Sequence, residues 1–168
     1  SNCMSLKITP NFLNKSQCEW LINFHTKYFP THGVDFEGRQ LINISTIIDK
    51  LAQNAVFDET DPLKILTYCI DTEIRSIAPK TFINYHQIVK WPAGEWQPEH
   101  KDFDYHTWTS IIYLNDDIEG GETVVGKQRI TPEQGKMITF SGSQTEHQVL
   151  PVIKGNRYTV AVWYKTYS

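Results

Sequence analysis

Two textures divide the chain. Up to about residue 80, apolar positions recur at helical spacing; beyond it they alternate or run in short β-branched stretches. Cys18, Leu21, Ile22, His25 and Phe29 stand three and four apart, the stripe of an amphipathic helix, and predict one over 14–28. Ser16-Gln17-Cys18-Glu19 has the form of a capping box, and Pro30 is the expected stop. Leu63, Leu66, Ile70, Ile74 and Ile77 make a second stripe. Asp61 opens it as N-cap with Pro62 in the first turn, and Pro79 ends it. Between the helices, residues 31–60 are mixed, with a strand inside 40–48 and loop elsewhere.

From Thr81 onward strands and turns take over. The stretches 82–91, 107–114, 123–125, 136–140, 147–153 and 157–166 read as strands. Pro92-Ala93-Gly94 and Pro132-Glu133-Gln134-Gly135 read as turns, and Glu119-Gly120-Gly121-Glu122 as a hairpin turn into Thr123. Many short strands at regular spacing predict a barrel or jelly roll. The expected class is therefore mainly β with flanking helices. At 168 residues it suits one domain, helical support over about 10–80 and a β core over about 81–168. No internal repeat or low-complexity segment interrupts it.

Composition narrows the function classes. A formal charge of -3 and a pI near 6.0 argue against a dedicated nucleic-acid surface. Cys3, Cys18 and Cys69 are odd in number and lack metal-like spacing, which suits free thiols in a reducing compartment. There is no apolar run long enough to span a bilayer and no signal segment at the start, so a cytoplasmic location is expected. Ser1-Asn2 ahead of Met4 reads as an added remnant and is left out of the reading.

The chemistry concentrates in His100-Lys101-Asp102, His147 and Arg157. Two imidazoles and a carboxylate are the facial ligand set of non-haem Fe(II), which keeps coordination positions open. Positions i and i+2 of a strand share a face, so His100 and Asp102 can reach one metal from one strand or strand end. His147 is the candidate third ligand. Arg157 and Thr159 share one face of an alternating strand, and a guanidinium beside a hydroxyl suits a carboxylate. Taken singly, each has a plainer reading: an exposed strand edge for His100 and Asp102, a hydrogen-bonded core residue for His147, a surface charge for Arg157.

The flanks shift that balance. The stretch Trp91-Pro92-Ala93-Gly94-Glu95-Trp96-Gln97-Pro98-Glu99-His100-Lys101-Asp102 resembles the iron-binding region of prolyl 4-hydroxylase-like Fe(II)/2-oxoglutarate dioxygenases. Tyr113-Leu114-Asn115 with Gly120-Gly121-Glu122-Thr123, and His147 to Arg157 with Trp163-Tyr164 behind, are similar to two further segments of that family. The resemblance runs from about Tyr85 to Tyr164. It implies a double-stranded β-helix with iron in its open mouth, held by His100, Asp102 and His147. It assigns the far carboxylate of 2-oxoglutarate to Arg157, helped by Thr159. Members acting on prolyl residues usually carry lysine at the Arg157 position, and many carry a tyrosine at the Trp91 position. Both departures weaken proline as the inferred substrate. A carboxylate at Asp102, where halogenating relatives have a non-ligating residue, argues for hydroxylation.

The implied activity is hydroxylation of a C–H bond in a peptidyl (first of all prolyl) or small-molecule substrate. Fe(II), 2-oxoglutarate and O₂ would be consumed in the family's manner, succinate and CO₂ released, and ascorbate is a further candidate cofactor. The alternatives are a sensor or binding module without turnover, a nucleic-acid demethylase, which the charge balance disfavours, and a non-oxygenase cupin, which usually presents more histidines. Tyr85, Gln87 and Trp91 share a strand face, and contact with 2-oxoglutarate or aromatic packing are both open for Tyr85 and Trp91. Asp104 and His106 offer a rival ligand set, but a solvated loop or a substrate contact is the preferred reading. Tyr113 and Thr139 are further pocket candidates, and Trp96, Trp108 and residues 35–44 are candidates for the cleft rim. His25 and His32 read as surface positions, and His86 as facing away from the pocket.

Overall fold

A computed structural model of the chain describes residues 6–53 and 59–168. The strands are β1 (Leu6–Thr9), β2 (Val34–Phe36), β3 (Arg39–Asn43), β4 (Thr81–Trp91), β5 (Gln97–His100), β6 (Trp108–Tyr113), β7 (Glu119–Gly120), β8 (Thr123–Val125), β9 (Gln128–Ile130), β10 (Met137–Phe140), β11 (His147–Val149), β12 (Val152–Lys154) and β13 (Arg157–Thr166). The helices are α1 (Lys15–His32), α2 (Ile44–Ala52) and α3 (Asp61–Ile77). A major sheet runs β1-β10-β6-β13-β4-β3-β2 and a minor one β5-β11-β8-β9, with β12-β7 as a separate pair. All pairings are antiparallel. This is the expected jelly roll.

Alternation along β13 explains the layering. Arg157, Thr159, Ala161 and Trp163 line a cavity between the sheets. The intervening Val160, Val162 and Tyr164 are buried in a second core, against Ile42, Ile88 and Ile112 of neighbouring strands and Leu21, Ile47, Leu66 and Ile70 of the helices. The face carrying Val160 and Val162 is apolar and is covered by the helices, while the mixed face carrying Arg157 and Thr159 closes over the cavity. Smaller clusters seal the cavity at two places: Tyr113, Val125, Ile130, Ile138 and Phe140 form one, Val89, Trp91, Val149 and Val152 the other.

Several local expectations need correction. Three helices brace the sheet rather than two, because α2 occupies a stretch read as strand and loop. The capping box of α1 is Asn14 with Gln17, not Ser16 with Glu19: Gln17 N donates to Asn14 Oδ1 and Asn14 N donates to Gln17 Oε1, each at 2.8 Å. Pro30 lies inside α1, whose end comes at Gly33 with its N–H on Phe29 O. Residues 119–122 do not form a hairpin turn. Gly120 pairs with Val152, and Thr123 pairs with Val149 and Ile130 in the minor sheet, so the segment carries the chain from one pair of strands into another. The stretch 147–153 breaks into β11 and β12 around Leu150-Pro151. His25 is buried, not at the surface, with Nε2 2.9 Å from Gln40 O. Residues 1–5, Cys3 among them, lie outside the described residues. No described helix is long and apolar enough to cross a membrane.

Candidate metal centre and cavity

β5 and β11 are neighbours, and their register sets His100 directly opposite His147. Asp102 follows two residues beyond the end of β5, tied by its N–H to Gly142 O at 2.9 Å. His147 Nε2 stands 3.2 Å and His100 Nε2 3.6 Å from Asp102 Oδ1. The three ligand atoms all lie within 4.8 Å of one another.

Outer partners orient each ligand. His100 Nδ1 is 2.8 Å from Pro98 O and His147 Nδ1 2.8 Å from Thr145 O. A carbonyl only accepts, so each Nδ1 carries the proton and each Nε2 is directed at the centre. Thr109 Oγ1, from the major sheet, donates to Asp102 Oδ2 at 2.6 Å. Burial alone would raise the Asp102 pKa, but the adjacent His100 and His147 imidazoles and the Thr109 hydroxyl outweigh it and hold the carboxyl well below the ordinary carboxylate range. The Asp102 carboxylate raises the His100 pKa; burial opposes that rise, and the charge of Arg39 adds a smaller opposition. A group that is anionic at any working pH beside two imidazole nitrogens is a cation receptor. The nitrogen and oxygen donors fit a divalent first-row metal such as Fe(II), with three ligands on one side only.

The second half of the site is Arg157, 1% exposed. Its Nε donates to Gly121 O at 2.8 Å and its Nη2 to Thr123 Oγ1 at 3.0 Å. Nη1 is buried without a partner, and so is Trp91 Nε1 on the paired residue of β4. The Arg157 guanidinium carbon is 4.9 Å from the Trp91 ring centroid and 5.6 Å from that of Tyr113. Among the described residues no carboxylate pairs with Arg157. A buried guanidinium with an idle donor, beside an idle indole N–H, calls for an acceptor from outside the chain. A carboxylate fits both.

The cluster and Arg157 face one cavity of about 490 Å³. Tyr85, Gln87, Trp91 and Thr159 line it too, although Thr159 makes no hydrogen bond to Arg157. Tyr85 and Trp91 stand well apart along the cavity. Register places Trp91 opposite Arg157 and Tyr85 opposite Trp163, six residues away on β4, about 20 Å at ~3.3 Å per residue. Tyr85 instead stacks on Trp163 at 4.6 Å, beside His106. His106 is buried rather than solvated, 2.9 Å from Asn84 Nδ2, and stays outside the metal cluster. Thr139 bonds Ser110 at 2.7 Å and Trp108 packs into the helix-side core, so neither lines the cavity. Tyr113 is buried behind Arg157, its OH on Thr123 Oγ1 at 2.5 Å. Of the proposed rim, Trp96 is exposed outside the lining, whereas Phe36, Arg39 and Leu41 from 35–44 belong to it. His86 faces the helices, on Thr67 Oγ1 at 2.9 Å.

Sequence reading missed Thr109, Thr123 and Gly142, and it placed Arg39 only within the candidate rim 35–44. A lone threonine or glycine carries no motif. The Gly120-Gly121-Glu122-Thr123 match did hold the signal for the Arg157 cradle, read there as a turn.

Comparison with known proteins agrees with this geometry. Residues 84–165 match the family model of the 2OG-Fe(II) oxygenase superfamily. The chain is 35% identical over 80 residues to prolyl 3-hydroxylase 2 of Homo sapiens, covering 43% of this chain and 11% of that protein. It is 30% identical over 80 residues to human prolyl 3-hydroxylase 3, with the same coverage. The chain thus spans about a tenth of the length of these curated relatives. In fold it is similar to a viral collagen prolyl hydroxylase from Paramecium Bursaria Chlorella virus-1 (TM-score 0.70, 19% identity, 98% of this chain and 97% of that one). It is also similar to a Trichoplax adhaerens prolyl hydroxylase in complex with a hypoxia inducible factor peptide fragment (TM-score 0.75, 18% identity, 96% and 84%). The segment that matches the 2OG-Fe(II) oxygenase superfamily model, residues 84–165, is the one that carries the metal cluster and Arg157.

Proposed function

We propose that the protein is an Fe(II)- and 2-oxoglutarate-dependent dioxygenase that hydroxylates a C–H bond of a peptidyl substrate, with prolyl residues the first class to test. Helices before residue 81 brace the catalytic core that follows. The observation that carries the reading is the meeting, in one cavity, of the His100–Asp102–His147 cluster and a buried guanidinium with a free donor. Bound iron, with O₂ and 2-oxoglutarate, supplies the oxidising power for C–H hydroxylation and leaves succinate and CO₂.

The chain's own residues bind, orient and exclude water. His100, Asp102 and His147 hold the metal from one side. The carbonyls of Pro98 and Thr145 fix both imidazole tautomers, and Thr109 fixes the carboxylate. Arg157 Nη1 and Trp91 Nε1 donate to the co-substrate's far carboxylate, while Gly121 O and Thr123 keep the guanidinium from turning away. Val89 and Val149 close the apolar wall behind it. Tyr85, Trp163, His106 and the exposed Phe103 stand at the other end of the cavity. The free thiols of Cys18 and Cys69 fit a cytoplasmic setting.

The test joins turnover and binding. Iron-loaded protein should convert 2-oxoglutarate to succinate, faster with a prolyl peptide. Arg157→Ala should weaken 2-oxoglutarate binding to Mn(II)-loaded protein at least about tenfold, the order expected for a lost charge-assisted pair, with metal affinity nearly intact. Absence of both succinate and 2-oxoglutarate binding in the wild type contradicts the reading. Equal loss of metal and co-substrate in Arg157→Ala removes the role given to that residue.

A further inference from the structure

One buried cation of the cavity is unused by the function proposed above. Arg39, on β3, is 7% exposed and lines the cavity. Its guanidinium carbon sits 4.8 Å from the Trp91 ring centroid and 5.5 Å from that of Phe36. Strand order is β13-β4-β3, so Trp91 lies on the strand between those of Arg157 and Arg39, and both guanidinium carbons lie within 4.9 Å of its ring centroid. The only hydrogen bond Arg39 makes among the described residues runs from Nη2 to Glu37 Oε2, at 3.3 Å, and the Glu37 side chain is 67% exposed. A pair held half in water contributes little and does not offset the cost of drawing a guanidinium into a protein wall. Glu95 rests its carboxylate against Gly38 but forms no ion pair with Arg39.

Charge around the cavity points the same way. The lining residues include three cations, Arg39, Lys101 and Arg157, and a single carboxylate, Asp102. With the site loaded as proposed, the metal dication, Asp102, the co-substrate dianion and Arg157 cancel. Arg39 remains, buried and underpaired, with the exposed Lys101 elsewhere on the lining. Nε and Nη1 of Arg39 have no partner among the described residues.

We propose that Arg39 is a specificity-determining residue that receives a carboxylate of the substrate, so that the enzyme selects an acidic substrate over its neutral counterpart. The inference rests on the dioxygenase reading. Two sources of that carboxylate share the chemistry, the chain-terminal group of a short peptide or amino acid and an acidic side chain beside the target residue.

The experiment uses the full chain loaded with Mn(II). Calorimetry first measures 2-oxoglutarate binding, then the binding of three proline-containing peptides of equal length: a free C-terminal acid, its amide, and an amide with glutamate next to the proline. The wild type should bind at least one acidic peptide about tenfold tighter than the neutral amide, the size of one charge-assisted contact, and the tighter of the two acids identifies the source. Arg39→Gln should erase the preference and leave the affinities for the neutral amide and for 2-oxoglutarate unchanged. Arg39→Lys should restore part of it, which a purely structural role would not do. Absence of any acid-over-amide preference in the wild type overturns the proposal, as does loss of 2-oxoglutarate affinity in Arg39→Gln. Failure of the wild type to bind 2-oxoglutarate at the first stage is separate: it removes the underlying reading, and this inference with it.

Discussion

At Gly142 a Cβ would overlap both Asp102 Oδ2 and Thr109 Oγ1 and stand 3.0 Å from Asp102 Cγ. The 2.6 Å bond that orients the carboxylate therefore depends on a glycine. Gly142 is not among the residues with positive φ, so alanine is compatible with its backbone and the damage is local. Gly142→Ala is expected to lower divalent-metal affinity about 10- to 100-fold, the usual cost of disturbing a ligand's outer partner, with little change in the thermal midpoint of the metal-free protein. Metal titration followed by intrinsic fluorescence reads this, and unchanged affinity would contradict the role given to the Thr109–Asp102 bond. Residues of this kind were the hardest to read in the sequence. His100, Asp102 and His147 announce themselves by ligand chemistry and i, i+2 spacing. Thr109, Thr123 and Arg39 acquire a role only because distant strands bring them beside a carboxylate or an indole. Tyr85 was read on the correct face, but its distance from Arg157 was not legible, since face follows from parity whereas position along the cavity follows from register.

At the level of elements, α2 shows where periodicity misleads. Ile44, Ile47 and Leu51 do stand at helical spacing, and Asn43 caps the helix through Oδ1 to Thr46 N. The run of β-branched residues next to a true strand masked that signal. The prolines were ambiguous in a similar way. Pro30 forfeits one hydrogen bond in the last turn of α1, and packing of Phe24, Tyr28 and Phe29 against the core carries the helix past it.

The joint between α3 and β4 yields a pH prediction. His86 is 1% exposed, its Nε2 lies on Thr67 Oγ1, and its Nδ1 has no partner. Burial pushes its pKa down to about 4 from the ordinary 6.5. The folded state thus binds fewer protons than the unfolded one between those values, so stability is full above about pH 6.5 and is lost as pH falls toward 4. The loss amounts to about 3 kcal/mol from this residue. His25, lowered by burial as well, acts in the same direction. His86→Leu keeps the apolar packing, and Thr67 retains its bond to Leu63 O at 2.8 Å. Thermal midpoints measured at pH 7 and pH 4.5 should differ less in His86→Leu than in the wild type. Parallel acid losses would show that the buried imidazole is not the source.

For the molecule as a whole, the centre works because two sheets meet there. His100 and His147 belong to the minor sheet, Arg157 and Trp91 to the major one, and Thr109 of the major sheet holds Asp102. The switch from helical to alternating patterning at Thr81 made the layers legible in the sequence. The pairing of β7 with β12 did not follow from it, because contacts between segments some thirty residues apart leave no local pattern. The central claim is that one metal and one keto acid share this cavity. It is tested most directly by the visible spectrum of the protein under anaerobic conditions with Fe(II) and 2-oxoglutarate. The account predicts a weak charge-transfer band that needs both additions and disappears in His147→Ala and Asp102→Ala. No band in the wild type at saturating concentrations of both, or a band that survives loss of either side chain, would contradict it.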